Sequence, residues 1–380
     1  MLPQQFKREH MAQVLEGWRA AAAQVARPVA FMEVCGTHTV AAWRSGLHSL
    51  MPVTVTLLSG PGCPVCVTSQ GDIDGMVELA GRSGVTFCSY GDMLRVPGKK
   101  GSLEQARSAG ADVRVVYSAL DAVGLAARQP RRQVVFAAVG FETTAPASAV
   151  AIQEAQRQGL TNFSVLVSHK RIVPAMLAIS SGASPGGSSG GPSGGGGLAQ
   201  VGIDGFLCPG HVAVIVGAKA FAPVVEECGL PCVVAGFEPL QMAQGLARLT
   251  ELVRDKSPVV ENLYPQAVTE EGNARALELM DEVFCPAPAR WRALGAIADS
   301  GLGLRREYQD FDAAARFGLH PEEAPEPVGC RCGDVIMGRC RPVDCAMFGG
   351  ACTPVHPIGP CMVSSEGSCQ AWFKYGEGLH

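Results

Sequence analysis

Charge is scarce in this sequence, and it gathers nowhere. Asp, Glu, Lys and Arg make up 17% of the 380 residues and sum to a formal net charge of -4. No basic footprint of the kind that holds nucleic acid is present; Lys99-Lys100 and Arg131-Arg132 read as solvated loop charges. Long apolar runs are missing as well, and none approaches the roughly 18 uninterrupted residues of a membrane-spanning helix. The segment Met1 to His10 mixes charges of both signs without an apolar core, unlike a secretory leader. On these absences nucleic-acid binding, membrane insertion and secretion are not expected, and a cytoplasmic location is. Apolar residues, at 47%, are abundant enough for buried cores. The length suits two or three domains.

Cysteine is what the chain has in excess. There are 15, and seven of them fall from Cys330 onward. Without a leader to an oxidising compartment, clustered cysteines point to metal binding or redox chemistry, not to structural disulfides.

Short β-branched runs at 29–34, 53–58, 85–88, 113–117, 134–139, 163–167, 205–207 and 232–235 alternate with helix-like stretches. Continuous apolar strands alternating with helices predict parallel sheets covered on both faces. The fold class is therefore α/β, with two similar four-stranded parallel-sheet domains at 28–130 and 131–240. A Gly/Ser-rich insertion at 180–197 reads as a surface loop in the second. Beyond 241 the apolar spacing turns helical, and from 321 the composition shifts to Pro, Gly and Cys. Residues 241–380 are thus expected to form a helical, cysteine-rich iron–sulfur domain. Residues 1–27 are expected to form a helix packing on it.

Ligands of parallel α/β sheets bind beyond the carboxyl ends of the strands. Five strands run there into turns that carry chemistry: Cys35-Gly-Thr-His38, Gly60-Pro-Gly-Cys-Pro-Val-Cys66, Gly140-Phe-Glu-Thr-Thr144, Ser168-His-Lys170 and Cys208-Pro-Gly-His211. Cys35 opens a helix, where the dipole favours a thiolate. With His38 it could form a thiolate–imidazolium pair or a two-ligand metal grip. A cysteine protease would use such a pair too, but would leave the other cysteine groups without a role. The spacing of Cys63 and Cys66 suits either a small disulfide or chelation of one metal. Glu142, Thr143 and Thr144 open a helix, and their hydroxyls and amides either cap it or offer donors to a small anion or diatomic ligand. Cys88, Cys228, Cys232 and Cys285 have no partner at a telling spacing and read as core.

The tail carries Cys330, Cys332, Cys340, Cys345, Cys352, Cys361 and Cys369. Neither the serial spacing of bacterial ferredoxins nor the paired CxxC of a zinc ribbon is present. Thiolates on Gly- and Pro-rich loops suit a [4Fe–4S] cube; a zinc site with unligated cysteines is the alternative.

Six motifs, in order along nearly the whole chain, resemble those of the HypD family of [NiFe]-hydrogenase maturation proteins. They are Phe31-Met-Glu-Val-Cys-Gly-Thr-His38, Ser59-Gly-Pro-Gly-Cys-Pro-Val-Cys66, Gly140-Phe-Glu-Thr-Thr144, Gly205-Phe-Leu-Cys-Pro-Gly-His211, Asn262-Leu-Tyr-Pro-Gln266 and Met362-Val-Ser-Ser-Glu-Gly367. The 180–197 insertion and Cys340 depart from the family pattern.

The resemblance implies a scaffold that works with HypC, on which the Fe(CN)2CO unit is assembled. Cyanide would come from HypE, itself supplied by HypF, and the product would pass to the hydrogenase large-subunit precursor. It implies Cys35 as ligand of the nascent iron with His38 beside it, and Cys63 and Cys66 as a redox pair. It implies Cys330, Cys345, Cys352 and Cys369 on the [4Fe–4S] cluster. Cys332 and Cys361 would form a second dithiol, similar to ferredoxin:thioredoxin reductase, with either Cys330 or Cys332 facing iron. Glu366 would steer a proton or a partner contact. Electrons would run from the cluster through Cys332/Cys361 to Cys63/Cys66 and the iron at Cys35. A thiol–disulfide oxidoreductase with an iron–sulfur cluster is the competing reading, and a zinc-stabilised binding protein a third.

Overall fold

The computed structural model describes residues 4–181, 202–320 and 325–376. The expected insertion therefore lies outside the described residues from 182 to 197. All eight expected strands form, but they do not divide into two consecutive sets of four. A five-stranded parallel sheet has the order β2 (Val55–Ser59), β1 (Val29–Glu33), β7 (Gly205–Pro209), β8 (Cys232–Ala235), β9 (Val260–Asn262). A four-stranded parallel sheet has the order β4 (Asp112–Val115), β3 (Val85–Ser89), β5 (Gln133–Gly140), β6 (Phe163–His169). The chain leaves the first sheet after β2, builds the whole second sheet, and returns at β7. The reason for the discrepancy is physical. An apolar run reports that a strand is buried on both faces, and carries nothing about which neighbour it pairs with.

The helical pattern expected after 241 is also only part of what forms there. Helices Pro239–Arg254 and Ala274–Val283 form. Between and after them come β9 and an antiparallel hairpin, β10 (Phe284–Trp291) and β11 (Gly295–Leu304). Pro286, Pro288 and several glycines hide these strands from propensity rules. Gly301 is there for close approach, since a Cβ on it would lie 2.5 Å from Cβ of Ala289.

The N-terminal helix Gln4–Ala23 packs on helix Pro239–Arg254, and the two cover one face of the five-stranded sheet. Leu15, Trp18 and Ala22 meet Phe31, Leu207 and Val233 there, and the Trp18 indole donates to Thr250 Oγ1 at 2.9 Å. No described helix is long and apolar enough to cross a membrane.

Register sets up the site. Glu33 lies opposite Ser59 on one side and Leu207 on the other, so β1 and β2 end level and β7 runs two residues further. The turns after them consequently emerge at one rim, with β1 in the middle. The tail folds as short helices, Cys332–Ile336, Pro360–Val363 and Ser368–Tyr375, which lie against this rim.

Candidate thiol and iron site

Cys35 stands at the N-cap of the helix Gly36–Arg44 without a side-chain capping hydrogen bond, and the nearby backbone amides of His38 and Thr37 favour its thiolate. The helix terminus does not dominate. Burial pushes the Cys35 thiol up to about 12, with the charges of Glu33 and Glu366 acting in the same direction. Glu33 is buried at the end of β1; its carboxylate accepts from the Cys35 amide at 3.0 Å and from the Thr39 hydroxyl. Burial raises it to about 8. His38 is also buried, and its Nε2 lies 3.1 Å from the Gly236 carbonyl while Nδ1 has no partner. Burial lowers it to about 4. A thiolate–imidazolium pair between Cys35 and His38 is therefore disfavoured, because burial neutralises both. His38 packs instead on Phe237, its ring centroid 4.7 Å away, and His211 stacks on the same ring at 4.0 Å.

The two cysteine turns after β1 and β2 press together because Gly62 has no side chain. A Cβ on Gly62 would lie 2.1 Å from the Cys35 nitrogen, and the Gly62 carbonyl accepts the Gly36 amide at 3.1 Å. Cys63 then caps the short helix Pro64–Val67, and its sulfur accepts the Cys66 amide at 3.3 Å. The pair is electrostatically uneven. Burial and the adjacent Cys66 sulfur push Cys63 well above the ordinary thiol range. Burial acts upward on Cys66 too, but hydrogen bonds with the Cys361 and Cys63 thiols and the positive charge of Arg292 bring it down to about 6.

The tail meets this pair directly. Cys361 contacts Cys66, Cys332 and Cys369 through their sulfurs, and Ser364 reaches the Cys63 thiol. Glu366 accepts from the Thr37 hydroxyl at 2.7 Å, and its backbone lies over Gly36, where a Cβ would come within 2.8 Å of its carbonyl. One stretch of tail thus touches the turns of both Cys35 and Cys63. Cys330, Cys345, Cys352 and Cys369 all line a single pocket, whose other walls include Met347, Phe348, Ile358 and Met362. Cys332 and Cys361 line it as well; their helices pack on Pro64–Val67. Among the described residues no three His, Cys, Asp or Glu side chains are gathered as for a single metal ion. Several soft sulfurs around an apolar space fit the donor chemistry of a [4Fe–4S] cluster. Gly359 fits it too, since a Cβ there would lie 2.6 Å from the Cys330 sulfur. Cys340 is buried outside this cavity, in a cleft with Trp43 and Trp372.

Glu142, Thr143 and Thr144 stand at the end of β5 in the other sheet. Glu142 is buried, accepts the Ile172 amide at 3.0 Å, and is raised to about 7 by burial. Thr144 donates to the Phe141 carbonyl at 3.2 Å, and Thr143 is exposed. Phe141 links this turn to the hairpin, its ring centroid lying 6.0 Å from that of Trp291. Cys208 pairs with Cys232 in the core, not with His211.

Two residues of the site escape the sequence reading. Glu33 had a signal, a carboxylate closing an otherwise apolar strand. Arg292 had none, because it sits in the turn of the unforeseen hairpin.

The family model HypD, described as the hydrogenase formation hypA family, matches residues 9–376. The hydrogenase maturation factor HypD of Escherichia coli (strain K12) is 41% identical over 372 residues, covering 97% of this chain and 95% of the relative. That of Azotobacter vinelandii is 43% identical over 374 residues, covering 98% and 96%. That of Rhodobacter capsulatus is 42% identical over 355 residues, covering 92% and 90%.

Proposed function

This chain belongs to the HypD family of hydrogenase maturation factors, and on that premise we propose that it is the scaffold on which the Fe(CN)2CO unit of a [NiFe]-hydrogenase is assembled. In this reading it works in the cytoplasm with HypC, takes cyanide from HypE supplied by HypF, and delivers the iron to the large-subunit precursor. The observation that carries the redox half of the reading is the sulfur contact between Cys66 and Cys361, which joins the CxxC turn to the tail.

Iron is the cargo. Cys35 supplies a soft thiolate suited to low-spin Fe(II). Its thiol must lose a proton to bind, and the buried Glu33 carboxyl sits against its backbone amide at 3.0 Å. The unpartnered Nδ1 of His38 supports a place for that ring beside the iron. Glu366, held by Thr37, would steer the proton outward or meet a partner.

A [4Fe–4S] cluster held by Cys330, Cys345, Cys352 and Cys369 would supply single electrons. The chain's own thiols then move an electron pair by exchange. A Cys361 thiolate attacks the Cys66 sulfur of a Cys63–Cys66 disulfide, and Cys63 leaves. Cys332 next attacks Cys361, which forms the Cys332–Cys361 disulfide and releases Cys66. A leaving thiol of low pKa departs faster, and Cys66 at about 6 has that property. Glu142, Thr143 and Thr144 remain candidates for contact with a small ligand or its carrier.

A turnover oxidoreductase acting on a protein substrate is disfavoured by burial, since Cys63 is 5% and Cys66 1% exposed. The test is infrared spectroscopy on protein isolated with HypC. Bands of iron-bound cyanide and carbonyl are expected; in Cys35→Ala they should vanish while the cluster absorbance persists. A wild-type complex without such bands, or a variant that keeps them, would overturn the assignment.

A further inference from the structure

Arg292 is the least exposed lysine or arginine among the described residues, at 2%, and the exchange described above makes no use of it. The β10–β11 turn carries it inward. Its amide donates to the Val67 carbonyl at 2.9 Å, one residue beyond Cys66. The guanidinium donates to the Thr68 carbonyl at 3.1 Å, to Gln70 Oε1 at 3.3 Å and to Glu326 Oε2 at 2.5 Å. The neighbouring Ala293 lies against Gly333, where a Cβ would come within 2.6 Å of its own, so the hairpin tip is wedged onto the tail helix of Cys332. Arg292 thus sits where the CxxC helix, the tail and the hairpin meet, with Cys66, Cys332 and Cys361 inside the reach of its charge.

A guanidinium out of water needs compensating negative charge. Glu326 offers only part of it, because its side chain is 35% exposed. We infer that Arg292 is a positioning residue of the thiol relay, whose buried charge holds Cys66 as the thiolate of the reduced CxxC pair and so draws the electron pair toward that turn. The inference rests on the relay reading given above. In the balanced step the Cys63–Cys66 bond breaks and a Cys332–Cys361 bond forms. Two electrons pass from the tail dithiol to the CxxC pair. Cys63 retains one proton as a thiol, Cys66 stays ionic beside Arg292, and one proton is released. The groups that face Cys66 are Cys63 on its own helix, Cys361, Cys369 and Glu366 from the tail, and Arg292 from the hairpin. Only Arg292 among them is a cation.

The test equilibrates the full chain, prepared anaerobically, with graded mixtures of reduced and oxidised dithiothreitol. Alkylation in denaturant followed by mass spectrometry then reads the fraction of Cys63–Cys66 disulfide. In Arg292→Gln the equilibrium should shift about tenfold toward the disulfide, equivalent to about 30 mV. Arg292→Lys should restore most of the shift. Glu326→Gln, which frees the cation of its counter-charge, should move the equilibrium in the opposite direction, by about threefold. An Arg292→Gln protein with a wild-type equilibrium overturns the inference, as does an Arg292→Lys protein that behaves like Arg292→Gln. Should Arg292→Gln fail to fold, the half-exposed Glu326 decides: no shift, or a shift toward disulfide, in Glu326→Gln overturns it. A wild-type protein that forms no Cys63–Cys66 disulfide refutes the relay and the inference together. A normal wild-type couple with unmoved variants refutes the inference alone.

Discussion

At the scale of single residues, the site is governed by burial more than by helix ends. Cys35 sits at a helix N-terminus, which ordinarily favours a thiolate, yet desolvation and two carboxylates push it up to about 12. Glu33, beneath it, titrates at about 8 instead of 4.5. The folded chain therefore keeps a proton that the unfolded chain releases between those values. The stability associated with neutral Glu33 is complete below pH 4.5 and is lost as pH rises through about 8. The slope contributed by one such group is about 1.4 kcal/mol per pH unit. Glu33→Gln, which cannot ionise, should lose less stability between pH 5 and 8 than the wild type. Urea unfolding of the reduced, metal-free protein at the two values measures this, and parallel losses would count against a buried proton on Glu33.

At the scale of elements, three turns share one rim because small residues let backbones touch. Gly62 is the clearest case, since its Cβ would lie 2.1 Å from the Cys35 nitrogen, which is rigid backbone and cannot yield. Gly62→Ala should force the CxxC and CGTH turns apart at a cost of about 1–3 kcal/mol, the usual range for overpacking. On the scaffold reading proposed for the chain, it should also reduce any cyanide-bearing iron that copurifies, although both Cys35 and the CxxC pair remain. Denaturant unfolding and infrared intensity, measured on the same preparation, check both effects; undiminished bands would show that the close approach does not matter for the cargo.

At the scale of the whole molecule, the chain interleaves its two sheets and then sends its tail back to the rim of the first. Cys361 is the joint. It touches Cys66 on one side and Cys332 and Cys369 on the other. Cys361→Ser should leave the cluster absorbance unchanged and leave a Cys63–Cys66 disulfide unreduced when dithionite is added. Thiol trapping with mass spectrometry reads the outcome. Reduction at the wild-type rate would mean that electrons reach the CxxC pair by some other route.

Much of this was written locally. Apolar runs at 29–34 and 134–139 announced β1 and β5 because strands buried on both faces must be apolar throughout. The ends of β1, β2 and β5 pointed to Cys35, to Cys63 and Cys66, and to Glu142 as candidates, because parallel sheets expose chemistry there. The order of motifs along the chain announced the family. Tertiary structure alone decided that β1 lies between β2 and β7, that Cys66 meets Cys361, and that Glu33 and Arg292 flank the thiols. Pairing partners and electrostatic environments depend on segments remote in sequence, brought together by packing. No residue type or spacing near Cys66 carries the information that a hairpin more than two hundred residues later sets a cation beside it.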